Sequence, residues 1–385
     1  MKLSEFKTIN TIIERDSKDT TYKFALLRSV IEIIQEYSHL RKEHEDKIIF
    51  PLGLLIEKWL LYYYPIISSR IFLPQKNGET SELTPGNKIK FRKQFKTITD
   101  FYSDKGGFSV FYRDYKSGSI SDEIKPTFIK LLKTLRETIT KMPMKYLGNS
   151  VFNENYSVFQ FNQDHKRIGT VGNQEIDPEF LINSFGSFSF GKQLFTVLEY
   201  LGSFIIGVDS ILFKWSEFTA KADRSGKLSV EKVFSYLQEY PQTERDVAFA
   251  RNVYKNLLDN NKHIECVWSD EPIGQIQIMN IDHMIPFAVW RNNDLWNLLP
   301  THKDINLKKR DKIPSSDLLD ERKEAIFFYW EKLKEHYEEM FEKEIRLSLL
   351  DRSITTVHWQ KDCFHQLKNK CKYLINIRGL EEWNI

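Results

Sequence analysis

Two ionisable side chains stand side by side in a run that otherwise has the composition of a half-buried strand. Asp282 and His283 interrupt "IQIMNIDHMIPF" (276–287). A strand is stabilised by β-branched and aromatic side chains, so packing gives no reason for this pair. A histidine whose pKa stays near about 6.5 can accept a proton at neutral pH, and a carboxylate is a hard oxygen ligand for a cation. The pair therefore indicates chemistry.

Further polar residues follow the pair, and short elements must position them. Asn297 comes fourteen residues after His283, and Asn306 nine residues after that. "IECVW" (264–268) and "IQIMNID" (276–282) predict the two strands of a short hairpin joined through Gly274, a long loop follows, and "HKDINLKKR" (302–310) predicts a short helix. The order is strand, strand, helix.

This arrangement resembles the ββα-metal fold of the HNH endonucleases. The resemblance covers about fifty residues, and it is specific because separate elements occur in order and at fitting spacing. The surrounding residues also resemble larger bacterial proteins that join a helical N-terminal region to a C-terminal HNH module, many of which are thought to act against foreign DNA. The matching pattern is Asp282-His283-x-x-Pro286, then Asn297-Leu298-x-Pro300, then Asn306-x-x-Lys309.

The resemblance implies hydrolysis of phosphodiester bonds, with DNA as the expected substrate. His283 would be the base that activates water. Asp282 and Asn306 would hold a divalent metal, Mg²⁺ or alternatively Mn²⁺, because these ions prefer hard oxygen ligands and keep several waters. His302, four residues before Asn306, is either a third metal neighbour or the remnant of a zinc site.

The remaining motif residues take other roles in this family. Asn297 would tie down the long loop and orient the backbone of His283. Lys309 would face the scissile phosphate, and Lys308 and Arg310 would contact the strand nearby. The two tryptophans of the loop, Trp290 and Trp296, either stack on bases or anchor the loop in the core.

The chain departs from the family at the zinc staple that many HNH modules carry. The two Cys-x-x-Cys positions read Cys266-x-x-Ser269 and His302-x-x-Ile305. Only two of the four ligands that a tetrahedral structural zinc requires remain. We therefore predict no structural zinc, with packing by Trp268, Trp296 and a flanking long helix in its place.

The rest of the chain is predicted to be mainly helical, so the fold class is mainly α with a small α+β element. We expect a targeting or regulatory region over 1–242, with a small sheet near 150–175. The HNH module with its lead-in helix would span 243–314, and a C-terminal helical segment 315–385. Within these, an apolar helix over 52–64 is expected to stop at Pro65, and one long helix is expected over 315–350, capped by Ser315 or Ser316.

A basic stretch in the helical region, "KIKFRKQFK" (88–96), has two interpretations. Its basic residues either follow a phosphate backbone or form the solvated face of a helix whose apolar side is buried. The helical region as a whole is expected to recognise DNA, sense a signal, form a homo-oligomer or bind a protein partner, and the sequence does not choose among these. The candidate nucleic-acid contacts in the stretch are Lys88, Lys90, Arg92 and Lys93.

Composition limits the other classes of function. The formal net charge of +3 leaves nucleic-acid binding to local patches. The 3 cysteines are too few for a disulfide scaffold, and the apolar stretches are interrupted by charge, so we expect a cytoplasmic protein without a membrane span. Two alternatives to a DNA endonuclease stay open: a nuclease that acts on RNA or without specificity, and a non-catalytic nucleic-acid-binding or interaction subunit.

Overall fold

The structure, a computed structural model, describes residues 3–80, 88–153, 156–162, 175–206, 211–260, 262, 264–350 and 358–385. It divides into two compact units, unit 1 (Met1–Gln242) and unit 2 (Thr243–Ile385). Among the described helices, none combines the length and the apolar character needed to cross a bilayer.

Unit 1 is built around one buried helix, α3. Every residue of α3 from Leu52 to Ile67 is buried, which agrees with its apolar composition on all sides. Helix α8 approaches α3 so closely that a Cβ at Gly53 would lie 2.0 Å from the carbonyl oxygen of Leu181. The helices of this unit are α1 (Leu3–Arg15), α2 (Tyr22–Glu36), α3 (Leu52–Ser68), α4 (Arg92–Ser103), α5 (Gly107–Lys116), α6 (Lys125–Lys141), α7 (Pro143–Tyr146), α8 (Pro178–Ser184), α9 (Lys192–Ile206), α10 (Ile211–Ala222) and α11 (Val230–Leu237).

The expectation that α3 stops at Pro65 is wrong. The helix continues through Pro65 to Ser68. A proline inside a helix removes one backbone hydrogen bond at a cost of roughly 3 kcal/mol. Burial of the whole helix against its neighbours offsets that cost here, because large side chains such as Tyr64 and Ile66 are almost completely buried on either side.

An antiparallel four-stranded sheet completes unit 1. Its strand order is β1-β2-β4-β3, and Phe50 of β2 packs beside Phe188 and Phe190 of β4, with ring centroids 6.0 and 6.3 Å apart. Strand β3 lies where the sequence predicts a small sheet; residues 154–155 and 163–174 of that region lie outside the described residues. The strands are β1 (Lys42–His44), β2 (Lys47–Pro51), β3 (Gln160–Asn162) and β4 (Ser187–Gly191).

The basic stretch 88–96 leads into α4, and its apolar residues Ile89, Phe91 and Phe95 are buried. Arg92 is 2% exposed, and its guanidinium binds the carboxylate of Glu79 with N–O distances of 2.8 and 3.1 Å. The prediction that Arg92 contacts nucleic acid is therefore wrong, because the buried carboxylate of Glu79 already takes its charge. Lys93 of α4 is exposed; Lys90 and Lys88 precede the helix and are exposed and half-buried, respectively.

Unit 2 places two short strands and a short helix among longer helices. Strands β5 and β6 are antiparallel, and β7 and β8 pair in parallel. Its core contains Trp268, Trp296 and Trp330, each fully buried. The elements are α12 (Ala248–Asp259), β5 (Met279–His283), α13 (Phe287–Trp290), β6 (Leu298–His302), α14 (Lys303–Lys309), β7 (Ile313–Pro314), α15 (Ser316–His336), α16 (Glu338–Ser348), α17 (Trp359–Asn376) and β8 (Glu382–Trp383).

The prediction that 276–282 pairs with 264–268 is wrong. Strand β5 pairs with β6 instead, and residues 264–273 form a tight turn held by one bridge between Glu265 and Pro272. The turn closes because the Asp270 amide donates to the Cys266 carbonyl at 3.1 Å and Asp270 takes a positive φ of 56°. The strand, strand, helix order survives as β5, β6 and α14.

The helix predicted over 315–350 is two helices. Ser315 caps α15, and its hydroxyl accepts the Leu318 amide at 3.0 Å. The chain then breaks at Tyr337, where φ is −138° and ψ is 55°. The break turns α16 toward the loop before β6, where the Glu344 carboxylate accepts the Leu295 amide at 2.6 Å. Phe341 and Ile345 of α16 are fully buried in this position.

Candidate active site

Strand β5 presents Asp282 and His283 on opposite faces of the β5–β6 ribbon. The register pairs Asp282 with Leu299 and His283 with Leu298, and consecutive side chains of a strand point to opposite sides. Both are buried, at 3% and 1% exposure. Each of the two polar groups therefore needs a partner of its own.

The partner of His283 is Asn293, from the loop between β5 and β6. The Nε2 atom of His283 lies 3.2 Å from Oδ1 of Asn293. The orientation of this amide follows from two backbone contacts: its Nδ2 donates to the Glu244 carbonyl at 2.9 Å, and its Oδ1 accepts the Asp246 amide at 3.1 Å. Since Oδ1 only accepts, Nε2 carries the proton of the neutral ring and Nδ1 carries the lone pair.

The surroundings keep the His283 ring neutral. Burial lowers its pKa to about 4, and the nearby positive charge of Arg245 acts in the same direction. The Nδ1 atom is buried and has no hydrogen-bond partner among the described residues. A neutral imidazole with an unengaged lone pair at Nδ1 is able to accept a proton.

Asp282 binds two donors in the interior. The Trp268 indole N–H donates to Oδ2 at 2.7 Å, and the ammonium of Lys309 lies 3.2 Å from Oδ1 and 3.0 Å from Oδ2. The same ammonium donates to the His283 carbonyl at 2.7 Å. Lys309 is 0% exposed, so the expectation that it faces a scissile phosphate is not met in this structure. The physical reason is that a buried carboxylate requires a compensating charge, which Lys309 supplies.

Asn297 connects the two ends of the loop between the strands. Its Oδ1 accepts the Ile285 amide at 2.8 Å, and its Nδ2 donates to the Ile285 carbonyl at 2.9 Å. Its own carbonyl accepts the Met284 amide at 2.8 Å. These three bonds, two from the side chain and one from the main chain of a residue with 0% exposure, hold the backbone directly after His283.

Helix α14 places Asn306 one turn before Lys309. Residues three apart lie on the same helix face, and Asn306 is half-buried on the face that carries buried Lys309 toward β5. Lys308 and Arg310, which flank Lys309, are exposed. The structure therefore separates the three basic residues into one that serves the interior and two that face solvent.

His302 does not join Asp282. It pairs with Met279 at the far end of the ribbon, and the alternation along β5 places it on the face opposite Asp282. Its Nε2 lies 4.0 Å from Oε2 of Glu271. Strand register thus directs the His302 side chain away from Asp282, and a role for His302 as a third metal neighbour stays a prediction.

The donor set suits a hard divalent cation that keeps most of its waters. A carboxylate offers about four lone-pair positions, and the contacts of Lys309 and Trp268 use three of them at Asp282, which leaves one on Oδ1. The candidate for a second hard donor is Asn306, which is half-buried on α14. In the part of the chain that the structure describes, no three His, Cys, Asp or Glu side chains gather as a metal site. Mg²⁺ and Mn²⁺ need only one or two such oxygens when substrate phosphate supplies others.

The positions of the zinc staple are filled by packing and a polar contact. Cys266 is buried, and its Sγ lies 3.1 Å from Oγ1 of Thr301. The Trp330 indole N–H donates to the Trp296 carbonyl at 2.7 Å, which links α15 to the loop before β6. The ring of Trp290 packs against Trp296, at a centroid distance of 5.9 Å, and under the ammonium of Lys370 at 4.0 Å. Both loop tryptophans thus anchor the loop.

Three contributors to the site carry no spacing signal in the sequence. Asn293 lies in a polar loop where asparagine is expected for turn formation alone. Arg245, whose guanidinium donates to the Ile281 carbonyl at 3.3 Å, precedes the motif by some forty residues. Trp268 reads as a core residue, and its bond to Asp282 is visible only in three dimensions.

Comparisons with known proteins agree with this architecture. Residues 266–315 match the family model described as HNH endonuclease, which covers the turn at Cys266, β5, β6 and α14. Residues 2–237 match the model described as domain of unknown function (DUF8808). No curated protein matches the chain. The chain therefore belongs to the DUF8808 family, and its C-terminal region carries an HNH endonuclease module.

Proposed function

We propose that unit 2 is a metal-dependent endonuclease that hydrolyses phosphodiester bonds in DNA. The observation that carries the proposal is the geometry at His283, whose Nε2 lies 3.2 Å from Oδ1 of Asn293 and whose buried Nδ1 has no hydrogen-bond partner among the described residues. Beside it stands a carboxylate, Asp282, which packing alone does not explain. The match to the HNH endonucleases supports a nuclease acting on nucleic acid.

In the proposed mechanism, Nδ1 of His283 takes the proton from the attacking water. Asn293 then stabilises the imidazolium, because its Oδ1 accepts a hydrogen bond from the Nε2–H group in both charge states. Asp282 and Asn306 would hold Mg²⁺ or Mn²⁺, which when bound compensates negative charge on the phosphate. Asn297 keeps the backbone next to His283 in place. General-base catalysis of this kind contributes roughly 10²–10⁴-fold to the rate.

The decisive experiment is cleavage of supercoiled plasmid by the purified full chain with Mg²⁺, with Mn²⁺ and with EDTA. We expect metal-dependent nicking or linearisation that disappears in His283→Ala. The matched control is His365→Ala, which removes an exposed histidine of α17 outside the residues matched to the HNH model. If cleavage survives in His283→Ala, in preparations free of contaminating nuclease, His283 is not the base.

One observation favours a second candidate, a non-catalytic nucleic-acid-binding subunit. Both oxygens of Asp282 are already in contact with Lys309, and His283 is 1% exposed. Binding of DNA without cleavage under any metal condition would support this candidate. Parallel assays with single-stranded DNA and RNA separate it from a nuclease that acts on RNA or without specificity.

We further propose that unit 1 supplies targeting or regulation, through a protein partner or a second copy of the chain, and that cleavage serves defence against foreign DNA. The support is the helical N-terminal region itself, which forms a separate compact unit. Light scattering of the full chain with and without DNA tests the oligomer. Phage plating on cells that express the chain or His283→Ala tests defence, and equal plating would contradict it.

A further inference from the structure

A groove of about 560 Å³ lies along the solvent side of α14, opposite the side that reaches Asp282. Its size falls within the roughly 300–1,000 Å³ of ordinary ligand sites. We call it the α14 groove. It is lined by Ile305, Leu307, Lys308, Arg310, Lys312 and Trp383, together with residues 384–385.

The groove combines two cations with apolar side chains. Lys308 and Arg310 are exposed, and in the described part of the chain neither has an ion-pair partner, whereas Lys312 pairs with Glu381. Leu307 is 61% exposed although it is a large apolar residue. Positive charge beside apolar surface provides the two features that a nucleotide recognises, through its phosphate and its base.

Trp383 adds an unused donor. Pairing of β7 with β8 holds it, and the Ser315 amide donates to its carbonyl at 3.0 Å. Its indole Nε1 is buried and has no hydrogen-bond partner among the described residues. A buried tryptophan N–H usually finds an acceptor, so a small movement toward the groove would offer this donor to a ligand.

The backbone at Arg310 supports a role for its side chain. Its φ and ψ are 53° and −118°, and the Lys312 amide donates to the Lys309 carbonyl at 3.1 Å. This is the first central position of a type II′ turn, where glycine is the ordinary residue. An arginine there is strained, and such strain is concentrated at functional sites.

We propose that the α14 groove binds one unpaired nucleotide of the nucleic acid on which unit 2 acts, with its phosphate at Lys308 and Arg310 and its base against Leu307 and Trp383. The inference rests on the proposed function, which it deepens by assigning a subsite for single-stranded substrate. The groove lies next to the candidate active site along the chain. Lys309 binds Asp282, and its two sequence neighbours, Lys308 and Arg310, line the groove.

The test is fluorescence anisotropy of a labelled single-stranded oligonucleotide and of a blunt duplex, with the full chain in EDTA over a series of salt concentrations. Arg310→Gly should weaken binding of the single strand by about tenfold and reduce the salt dependence by about 0.7 in log–log slope. The same variant should melt at a higher temperature, because glycine relaxes the turn. Lys308→Ala should weaken binding similarly. The matched control is Lys372→Ala, an exposed lysine of α17 outside the groove.

Trp383→Phe removes the indole donor and keeps an aromatic ring. It should weaken binding of the single-stranded oligonucleotide and leave the salt dependence of binding unchanged. Unchanged binding by both Arg310→Gly and Lys308→Ala would overturn the proposal. An equal loss of affinity for the blunt duplex would overturn it as well, because the groove would then contact only phosphate. Plasmid cleavage distinguishes the two levels. Active variants with unaltered binding refute the groove alone, whereas salt-dependent groove binding without any cleavage refutes the nuclease alone.

Discussion

Replacement of Lys309 by methionine tests whether this lysine is the counter-ion of Asp282 when metal is absent. The pair is almost completely buried, with side-chain exposures of 0% and 4%. Methionine keeps most of the apolar stem and removes the charge. Removal of one partner from a buried ion pair costs about 3–5 kcal/mol, because the other charge is left uncompensated. For a unit of this size we expect the melting temperature of unit 2 to fall by roughly 10–15 °C in EDTA.

Metal should reverse much of this loss, since an ion on Asp282 replaces the missing positive charge. At a Mn²⁺ concentration of 100 times its Kd, binding to the folded state contributes about 2.7 kcal/mol. We therefore expect a large rise in the melting temperature of Lys309→Met on addition of Mn²⁺. The wild-type protein should respond less, because Lys309 competes for the same carboxylate.

Differential scanning calorimetry of the full chain, with EDTA and with Mn²⁺, gives both quantities. The control is the double variant Lys309→Met with Asp282→Asn, which removes the buried charge and should lose the response to metal. If Lys309→Met melts like the wild type in EDTA, the pair does not stabilise the fold as argued. If the double variant responds to Mn²⁺ as strongly as the single one, the ion does not bind Asp282.

The remaining predictions concern the supports of the site. Asn293→Ala should lower kcat by about 10–100-fold with KM nearly unchanged, and ¹⁵N NMR of the His283 ring should show loss of the single Nε2-protonated tautomer. Asn297→Ala leaves the Ile285 amide and carbonyl without their partners, so urea unfolding should show a loss of about 2–5 kcal/mol. An undiminished urea midpoint would mean that water replaces both bonds. Burial raises the pKa of the Cys371 thiol to about 12, and Cys266 and Cys363 are buried as well. A disulfide reagent at pH 8 should therefore find no fast-reacting thiol until urea is added.

Local patterns predicted the parts of unit 2 that depend on neighbouring residues. The helix over 302–310 and the cap at Ser315 follow from capping and periodicity, and the spacing between His283 and Asn297 matches a return of the chain to the same ribbon. The partner of β5 does not follow from local patterns, because pairing depends on which segment reaches the strand. The segment 264–268 instead contacts β6, where the Val267 amide donates to the Pro300 carbonyl at 2.9 Å.

The direction of individual side chains does not follow from local sequence patterns. Lys309 and Arg310 are adjacent basic residues with the same composition signal, yet one is buried on Asp282 and the other is exposed. Only the position of the carboxylate decides between them. The same holds for Arg92, which Glu79 draws into the core of unit 1, and for Asn293, whose role depends on backbone groups far away in sequence.

The bonds from Asn293 to the backbone of residues 244 and 246 affect how this module can be inherited. The residues that match the HNH family begin at 266, so a recombination event or a graft that moved only the matched segment would carry the motif but not the segment that sets the protonation pattern of its histidine ring. The smallest piece that keeps the ring's support intact therefore begins no later than residue 244. Swaps of this nuclease between proteins should show their joins upstream of that point.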